Sequence, residues 1–198
     1  MAANAPQPSP PPDLPQDTEA QYWHYLGQAR AVFTAKMQDY GAAWRVLRPT
    51  SLTDQLFIKA KRIRTLEEKP SRVGEPIPPE LLALINYCIM GLILLKETLP
   101  AEQLDPAATL HPDVEAQLAA YDAQAQHVFE TLQAKNHDYG EAWRSMRATS
   151  FTDLILMKLL RIKQIEDRQG RTEVSEGIDA GYTDILNYAV FYLIQMQA

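Results

Sequence analysis

The sequence of 198 residues predicts an all-α protein in which two tandem three-helix repeats pack as a pseudo-twofold helical bundle, like a fused dimer. The first reason is an internal duplication, because residues 36–63 recur at 135–162 with a constant offset of 99 residues and about half of the positions identical. The second is the recurrence of apolar residues at three- and four-residue steps, which is the period of an amphipathic helix. The third is that no segment alternates apolar and polar residues over a strand length between turn signals.

Repeat one, residues 18–97, contains three predicted helices. Gly41 suits the left-handed residue that closes the first helix, and Ser51 with Asp54 resembles a capping box at the start of the second. The third helix is apolar around almost its whole circumference, so it should be the most buried element of this half. The predicted helices are Thr18–Gln38, Thr50 to about Glu68, and about Pro79 to about Glu97.

Repeat two, residues 113–198, follows the same plan. Residues 1–17 carry six of the 14 prolines and almost no large apolar side chains, so we expect them to be disordered. Residues 98–112 are rich in proline and small residues, which indicates a linker between the repeats. The predicted helices of repeat two are Asp113–His137, Thr152–Gln169 and about Ile178–Gln197.

Charge and composition narrow the classes of partner and compartment. The net charge of −6 argues against an extended nucleic-acid surface but leaves room for a small positive pocket that holds one phosphorylated ligand. Cys88 is the only cysteine, which excludes an intrachain disulfide and favours an intracellular location. The longest apolar run, residues 81–95, is too short for a membrane span, and no signal-peptide pattern is visible. We therefore expect a soluble, cytoplasmic protein without a membrane partner.

Lys158 and Arg161 lie among apolar residues of a predicted helix, and Lys59 and Arg62 repeat the arrangement. A lysine in an apolar stripe needs an anionic partner, because burial of an unpaired charge is costly. These residues form either a phosphate clamp or a structural contact, in which the lysine reaches solvent or pairs with a carboxylate.

A second candidate group is Trp143, Arg144 and Arg147, which is matched by residues 44, 45 and 48. Tryptophan offers a face on which a base can stack, and arginine offers a fork that binds phosphate. The alternative is that the tryptophan fills the gap between helices and the arginines are solvated.

A third group, Lys135 and Asp138, lies on one helical face just before Gly140. Both side chains could reach a ligand near Trp143. The alternative is a helix end with a glycine cap and no further role.

The fourth group is present in full only in repeat two. Asp184 and Asn187 project from one helical face, Tyr188 follows, and Glu176 precedes the helix. Oxygen ligands grouped in this way suit Mg²⁺, which commonly binds one or two carboxylates and the phosphates of a substrate. Alanine stands at position 83, where repeat one would need the equivalent of Asp184. The alternative is a satisfied polar patch inside the bundle.

The motifs Lys-x-x-Asp-Tyr-Gly-x-Ala-Trp, Thr-Asp, Lys-x-x-Arg-Ile and Asp-x-x-Asn-Tyr together resemble the nucleotide-modification-associated domain 1 family of bacteria and phages. The resemblance covers residues 29–93 and 127–195. The family is named for its association with phage nucleotide-modification genes, and the resemblance implies a role in nucleotide metabolism or modification.

More distantly, the helical plan is similar to the all-α nucleoside triphosphate pyrophosphohydrolases of the MazG type, which bind Mg²⁺ through paired acids on two helices. Asp184-x-x-Asn187 could stand in for one pair, but the preceding helix carries Lys158 and Arg161 instead of the other.

These features lead to two functional hypotheses. In the first, the protein binds, and in one version hydrolyses, a nucleotide or nucleotide derivative. The base would stack on Trp143, and Arg144, Arg147, Lys158 and Arg161 would hold the phosphates. Glu176, Asp184 and Asn187 would hold Mg²⁺ that polarises a phosphoryl oxygen, with Glu176 and Asp184 as the catalytic acids. The second hypothesis is a non-catalytic interaction or regulatory module. Under either hypothesis, two copies of the chain could form a homodimer of the fused repeats.

Overall fold

A computed structural model of the chain describes residues 17–69, 74–97, 109–174 and 176–197. Within these ranges the chain has no β-strand, and the all-α prediction is confirmed. The six α-helices with bounds inside these ranges are α1 Thr18–Tyr40, α2 Pro49–Glu68, α3 Ile77–Lys96, α4 Val114–Tyr139, α5 Ala148–Asp167 and α6 Ile178–Gln195. Two 3-10 helices, Ala43–Val46 and Ala142–Ser145, follow α1 and α4. Disorder was predicted for residues 1–17, of which only Asp17, the cap of α1, is described, and most of the predicted linker also lies outside the described residues.

The two long outer helices begin and end at the signals in the sequence. Asp17 caps α1 by accepting a hydrogen bond from the Ala20 amide at 3.1 Å, and Asp113 caps α4 in the same way. Gly41 and Gly140 end these helices with φ angles of 63° and 61°, a conformation in which a side chain would be strained. The glycine stops are confirmed.

In the second helices of the repeats, the predicted cap at Ser51 and the predicted start at Thr152 are wrong. Helix α2 begins at Pro49, so Ser51 lies inside the helix and no side chain caps it. Proline is favoured at the first helical position, because its φ is already helical and its missing N–H would have no partner there. Helix α5 begins at Ala148, four residues before the predicted Thr152, and it also has no side-chain cap. Helix α3 likewise begins at Ile77, with two prolines in its first turn.

The two repeats are related by a pseudo-twofold arrangement, as predicted, and reciprocal hydrogen bonds tie them together. Two kinds of bond between the repeats occur twice, with the donor and acceptor repeats exchanged. The pairs are Thr53 with Glu166, Thr152 with Glu67, Tyr22 with Asn187 and Tyr121 with Asn86. Two exposed ion pairs, Arg64 with Asp153 and Lys163 with Asp54, are reciprocal as well.

Helices α3 and α6 form the centre of the bundle, with α2 and α5 packed beside them and α1 and α4 on the outside. Gly91 allows the central pair to approach closely, because a β-carbon at this position would lie 2.6 Å from the Tyr182 ring. By length and composition α3 could cross a membrane, but most of it is buried inside the bundle, as expected for a core helix.

Gly91→Ala should therefore destabilise the protein by about 1–3 kcal/mol, because the buried Tyr182 ring, which is hydrogen-bonded to Thr53, has no room to move. Gly27→Ala, at an exposed position of α1, is the matched control. Nothing lies within 4 Å of its added β-carbon, so it should stabilise the protein by about 0.5–1 kcal/mol. Urea unfolding followed by circular dichroism measures both. Equal effects of the two substitutions would contradict the close packing.

Candidate functional site

In repeat two, the Asp184 carboxylate connects three helices. Asp184 belongs to α6 and is only 8% exposed. Lys135 from α4 donates a hydrogen bond to its Oδ1 at 2.7 Å. Lys158 from α5 donates to the other oxygen, Oδ2. Both oxygens of the carboxylate are thus held by ammonium groups. The sequence predicted an anionic partner for Lys158, and Asp184 is that partner.

The two lysines determine the charge state of the aspartate. Burial acts to raise the pKa of Asp184, but the hydrogen bonds and charges of Lys135 and Lys158 outweigh burial and hold the pKa below its usual value. For Lys135, burial acts to lower the pKa, and the hydrogen bond and charge of Asp184 raise it overall. The carboxylate is ionised and paired at neutral pH.

The predicted Mg²⁺ ligands do not fit Mg²⁺ in this arrangement. The carboxylate of Asp184 is held by two cations, which would repel a third. Asn187 uses its Oδ1 to accept a hydrogen bond from the Tyr22 hydroxyl at 2.6 Å. Glu176 is exposed, and among the described residues no group of three or more histidine, cysteine, aspartate or glutamate side chains could hold a metal ion.

Repeat one places its acid one helical turn earlier. Ala83 corresponds to Asp184, and Gly181 corresponds to Glu80. The buried Glu80 carboxylate accepts from Lys59 at 3.1 Å and pairs with Arg62 at 3.1 Å. Each repeat therefore buries one carboxylate beside the lysine of its second helix, but at different positions.

A cavity of about 560 Å³, here called the repeat-one cavity, opens beside Ala83 between α1, α2, α3 and the first 3-10 helix. Apolar and aromatic side chains form most of its wall, and two lysines and two acids supply its charge. The lining includes Phe33, Met37, Trp44, Tyr87, Met90, Lys36, Lys59, Glu75 and Glu80. Its lysines, Lys36 and Lys59, are the equivalents of those that hold Asp184. Within the described ranges, Lys36 makes no ion pair or hydrogen bond.

Trp143 and Arg144 contact other residues of the bundle. The Trp143 ring stacks on Phe191 with centroids 4.2 Å apart, and the Arg144 guanidinium lies 4.4 Å from the ring centre. Arg144 also pairs with Glu141 and donates to Gln21 at 2.9 Å. Because Trp143 is only 8% exposed, its ring has no open face for a base in this structure. Trp44, its equivalent in repeat one, forms part of the cavity wall.

The remaining predicted residues lie at several places. Asp138 is exposed beside His137, and Arg147 is exposed at the start of α5. Arg161 is exposed and shares a small recess with Glu176, Lys158 and neighbouring residues. Tyr188 is half-buried near Asp184, and burial, followed by the charge of Asp184, raises its pKa. The structure thus brings Lys135, Lys158, Asp184 and Tyr188 together and leaves Asp138, Trp143, Arg144 and Arg147 apart from them.

A second cavity, of about 530 Å³, lies against α3, α4 and α6. Its wall includes Lys96, His127, Lys135, Glu176 and Asp179. Lys135 therefore lies between this cavity and the Asp184 carboxylate.

Sequence reasoning missed Glu80 and the contrast between Lys36 and Lys135. The signal was present: Glu80 precedes Ala83 by three residues, so it lies on the same face one turn away. A search for a carboxylate displaced by one turn, rather than lost, would have found it.

A family model described as nucleotide modification associated domain 1 matches the chain twice, over residues 36–95 and 135–196, which together cover more than half of it. Each matched segment begins at one of the equivalent lysines, Lys36 or Lys135. Comparison with curated proteins and with solved structures finds no match.

Asp184→Asn should reduce the pH dependence of stability in acid. A carboxyl with a lowered folded-state pKa contributes stability that is present above its unfolded-state pKa of about 3.9 and is lost as the pH falls through the folded-state value. The free energy of unfolding of the wild type should therefore fall more steeply from about pH 5 to about pH 2 than that of the variant. Denaturant unfolding at several pH values measures this slope. Asp138→Asn, at an exposed site, is the control, and an unchanged slope in Asp184→Asn would contradict the assignment.

Proposed function

Because the chain belongs to the nucleotide modification associated domain 1 family through both of its repeats, we propose that it binds a nucleotide or nucleotide derivative in the repeat-one cavity. The observation that carries the proposal is the cavity itself. Its volume of about 560 Å³ lies within the range of small-molecule sites, and it combines an apolar wall with few charged groups, as such sites do.

The two kinds of lining match the two parts of a nucleotide. A base is flat and largely apolar on its faces, which suits a mainly apolar wall whose accessible aromatic side chains are Tyr40 and Tyr87. A phosphate needs cationic donors, and Lys36 has an ammonium group without a partner among the described residues. A lysine that gains an anionic ligand makes a charge-assisted hydrogen bond, which is stronger than a neutral one.

The acids in the wall are compatible with this ligand. Glu80 is already paired with Lys59 and Arg62, so its charge is balanced within the protein. A carboxylate is an acceptor only, and it can receive a hydrogen bond from an amino group or ring N–H of a base. Glu80 thus favours a base that presents a donor.

Binding is proposed here without metal-dependent hydrolysis of the MazG type. The acid that such a reaction would require in repeat two, Asp184, is held by Lys135 and Lys158. The cavity that supports a ligand lies in the other repeat, which has alanine at the equivalent position. The favoured ligand is a nucleotide that is bound and released unchanged.

A thermal-shift screen of ribo- and deoxyribonucleoside monophosphates, with Mg²⁺ and with a chelator, tests the proposal. A ligand at a hundred times its dissociation constant should add about 2.7 kcal/mol of stability, with or without Mg²⁺. Lys36→Ala should reduce the shift strongly, whereas Lys61→Ala, at an exposed site on α2, should retain it. If no nucleotide raises the melting temperature above the effect of sodium chloride at equal ionic strength, the proposal is wrong and the interaction module becomes the better explanation.

A further inference from the structure

We propose that the Asp184 carboxylate is a built-in anion that occupies, in repeat two, the position that the anionic group of a ligand takes in repeat one. The chain would then carry one open and one closed copy of the same anion site. This inference rests on the proposed function for the view that the repeat-one cavity is a ligand site, and it adds where the anion lies and why only one repeat binds it.

The equivalence of the two positions is structural as well as sequential. The Tyr22 hydroxyl donates to Asn187 at 2.6 Å, and the Tyr121 hydroxyl donates to Asn86 at 2.8 Å. These reciprocal bonds place α3 and α6 in the same register relative to the opposite outer helices. Asn86 and Asn187 each lie three residues after the position in question. Ala83 therefore occupies the place in repeat one that Asp184 occupies in repeat two.

The cations at this place are the same in both repeats. Lys135 and Lys158 hold the Asp184 carboxylate, and Lys36 and Lys59 line the cavity beside Ala83. An alanine methyl replaces the carboxylate in repeat one, and the space around it belongs to the cavity. Lys36 consequently lacks the carboxylate that its equivalent, Lys135, binds.

Glu80 does not take the place of the missing carboxylate. Its oxygens are bound by Lys59 and Arg62, and in the part of the chain that the structure describes no hydrogen bond or ion pair joins it to Lys36. Four charged positions are equivalent in the two repeats, and each repeat adds one acid, Glu80 or Asp184, at a position that is not equivalent. The four pairs are Lys36 with Lys135, Lys59 with Lys158, Arg62 with Arg161, and Glu75 with Glu176. The net charge of the two sets is thus the same, but Asp184 is bound by Lys135 of the outer helix, whereas Glu80 is bound by Lys59 and Arg62 of the second helix. A carboxylate or a phosphate monoester next to Ala83 would restore the contact that Lys135 makes.

Exchange of the two residues should move the site from one repeat to the other. Isothermal titration calorimetry with inorganic phosphate, with acetate and with the best nucleoside monophosphate of the screen should give one site in the wild type. Ala83→Asp should weaken this binding by about tenfold or more, because the new carboxylate pairs with Lys36 and repels the anion. Asp184→Ala should give two sites, and the double variant should give one site that depends on Lys135 instead of Lys36.

Two further variants separate charge from shape and folding. Ala83→Asn adds the same volume without charge, so it should weaken the anions less than Ala83→Asp does. If Asp184→Ala folds poorly, phosphate or acetate should raise its melting temperature more than sodium chloride does at equal ionic strength, and Asp184→Asn should show a smaller rise.

Retention of wild-type anion affinity in Ala83→Asp, or a single unchanged site in Asp184→Ala, would overturn the inference even if nucleotides bind. Conversely, if phosphate and acetate follow the predicted pattern while no nucleotide binds better than they do, the inference stands and the nucleotide proposal fails.

Discussion

Helices α3 and α6 are apolar around almost their whole circumference, so each requires cover on every side, and this requirement determines the architecture. Neither repeat can supply that cover alone, because its other two helices reach only part of the surface. In the duplicated chain the two central helices cover each other by packing together, and Gly91 contacts Tyr182 closely where they meet. The reciprocal hydrogen bonds of the outer and second helices then align the repeats.

The same packing explains why charged groups lie inside the bundle. Lys59 and Lys158 extend from the second helices toward the central ones, where an unpaired ammonium group would be costly. In each repeat a buried carboxylate of the central helix, Glu80 or Asp184, pairs with this lysine. The acid of repeat one, Glu80, lies one helical turn before the position equivalent to Asp184. Repeat two therefore has Asp184 between its lysines, whereas repeat one has a cavity beside Ala83. A small change in sequence thus separates a carboxylate paired within the protein from a candidate ligand site.

Much of the fold and part of the site could be predicted from the sequence. The duplication, the helical period and the glycine stops are local signals, and the need of Lys158 for an anion follows from its apolar neighbours. The cap predicted at Ser51 and the helix start predicted at Thr152 were mistaken, because polar residues that suit a cap also occur inside helices. A buried polar patch for Asn187 and a packing role for Trp143 were among the alternatives, but their partners, Tyr22 and Phe191, could not be predicted, since only the packing of distant segments brings them in. Asp184 was assigned to a metal because its two lysine partners lie on other helices.

A crystal structure of the wild-type protein with a bound nucleoside monophosphate tests the central claim most directly. The claim is that one repeat holds an external anion where the other holds its own carboxylate. The phosphate should lie beside Ala83 within hydrogen-bonding distance of Lys36 and Lys59, while Asp184 remains bound to Lys135 and Lys158. A phosphate that instead displaces Asp184, or that binds at Arg161 with the repeat-one cavity unchanged, would contradict it.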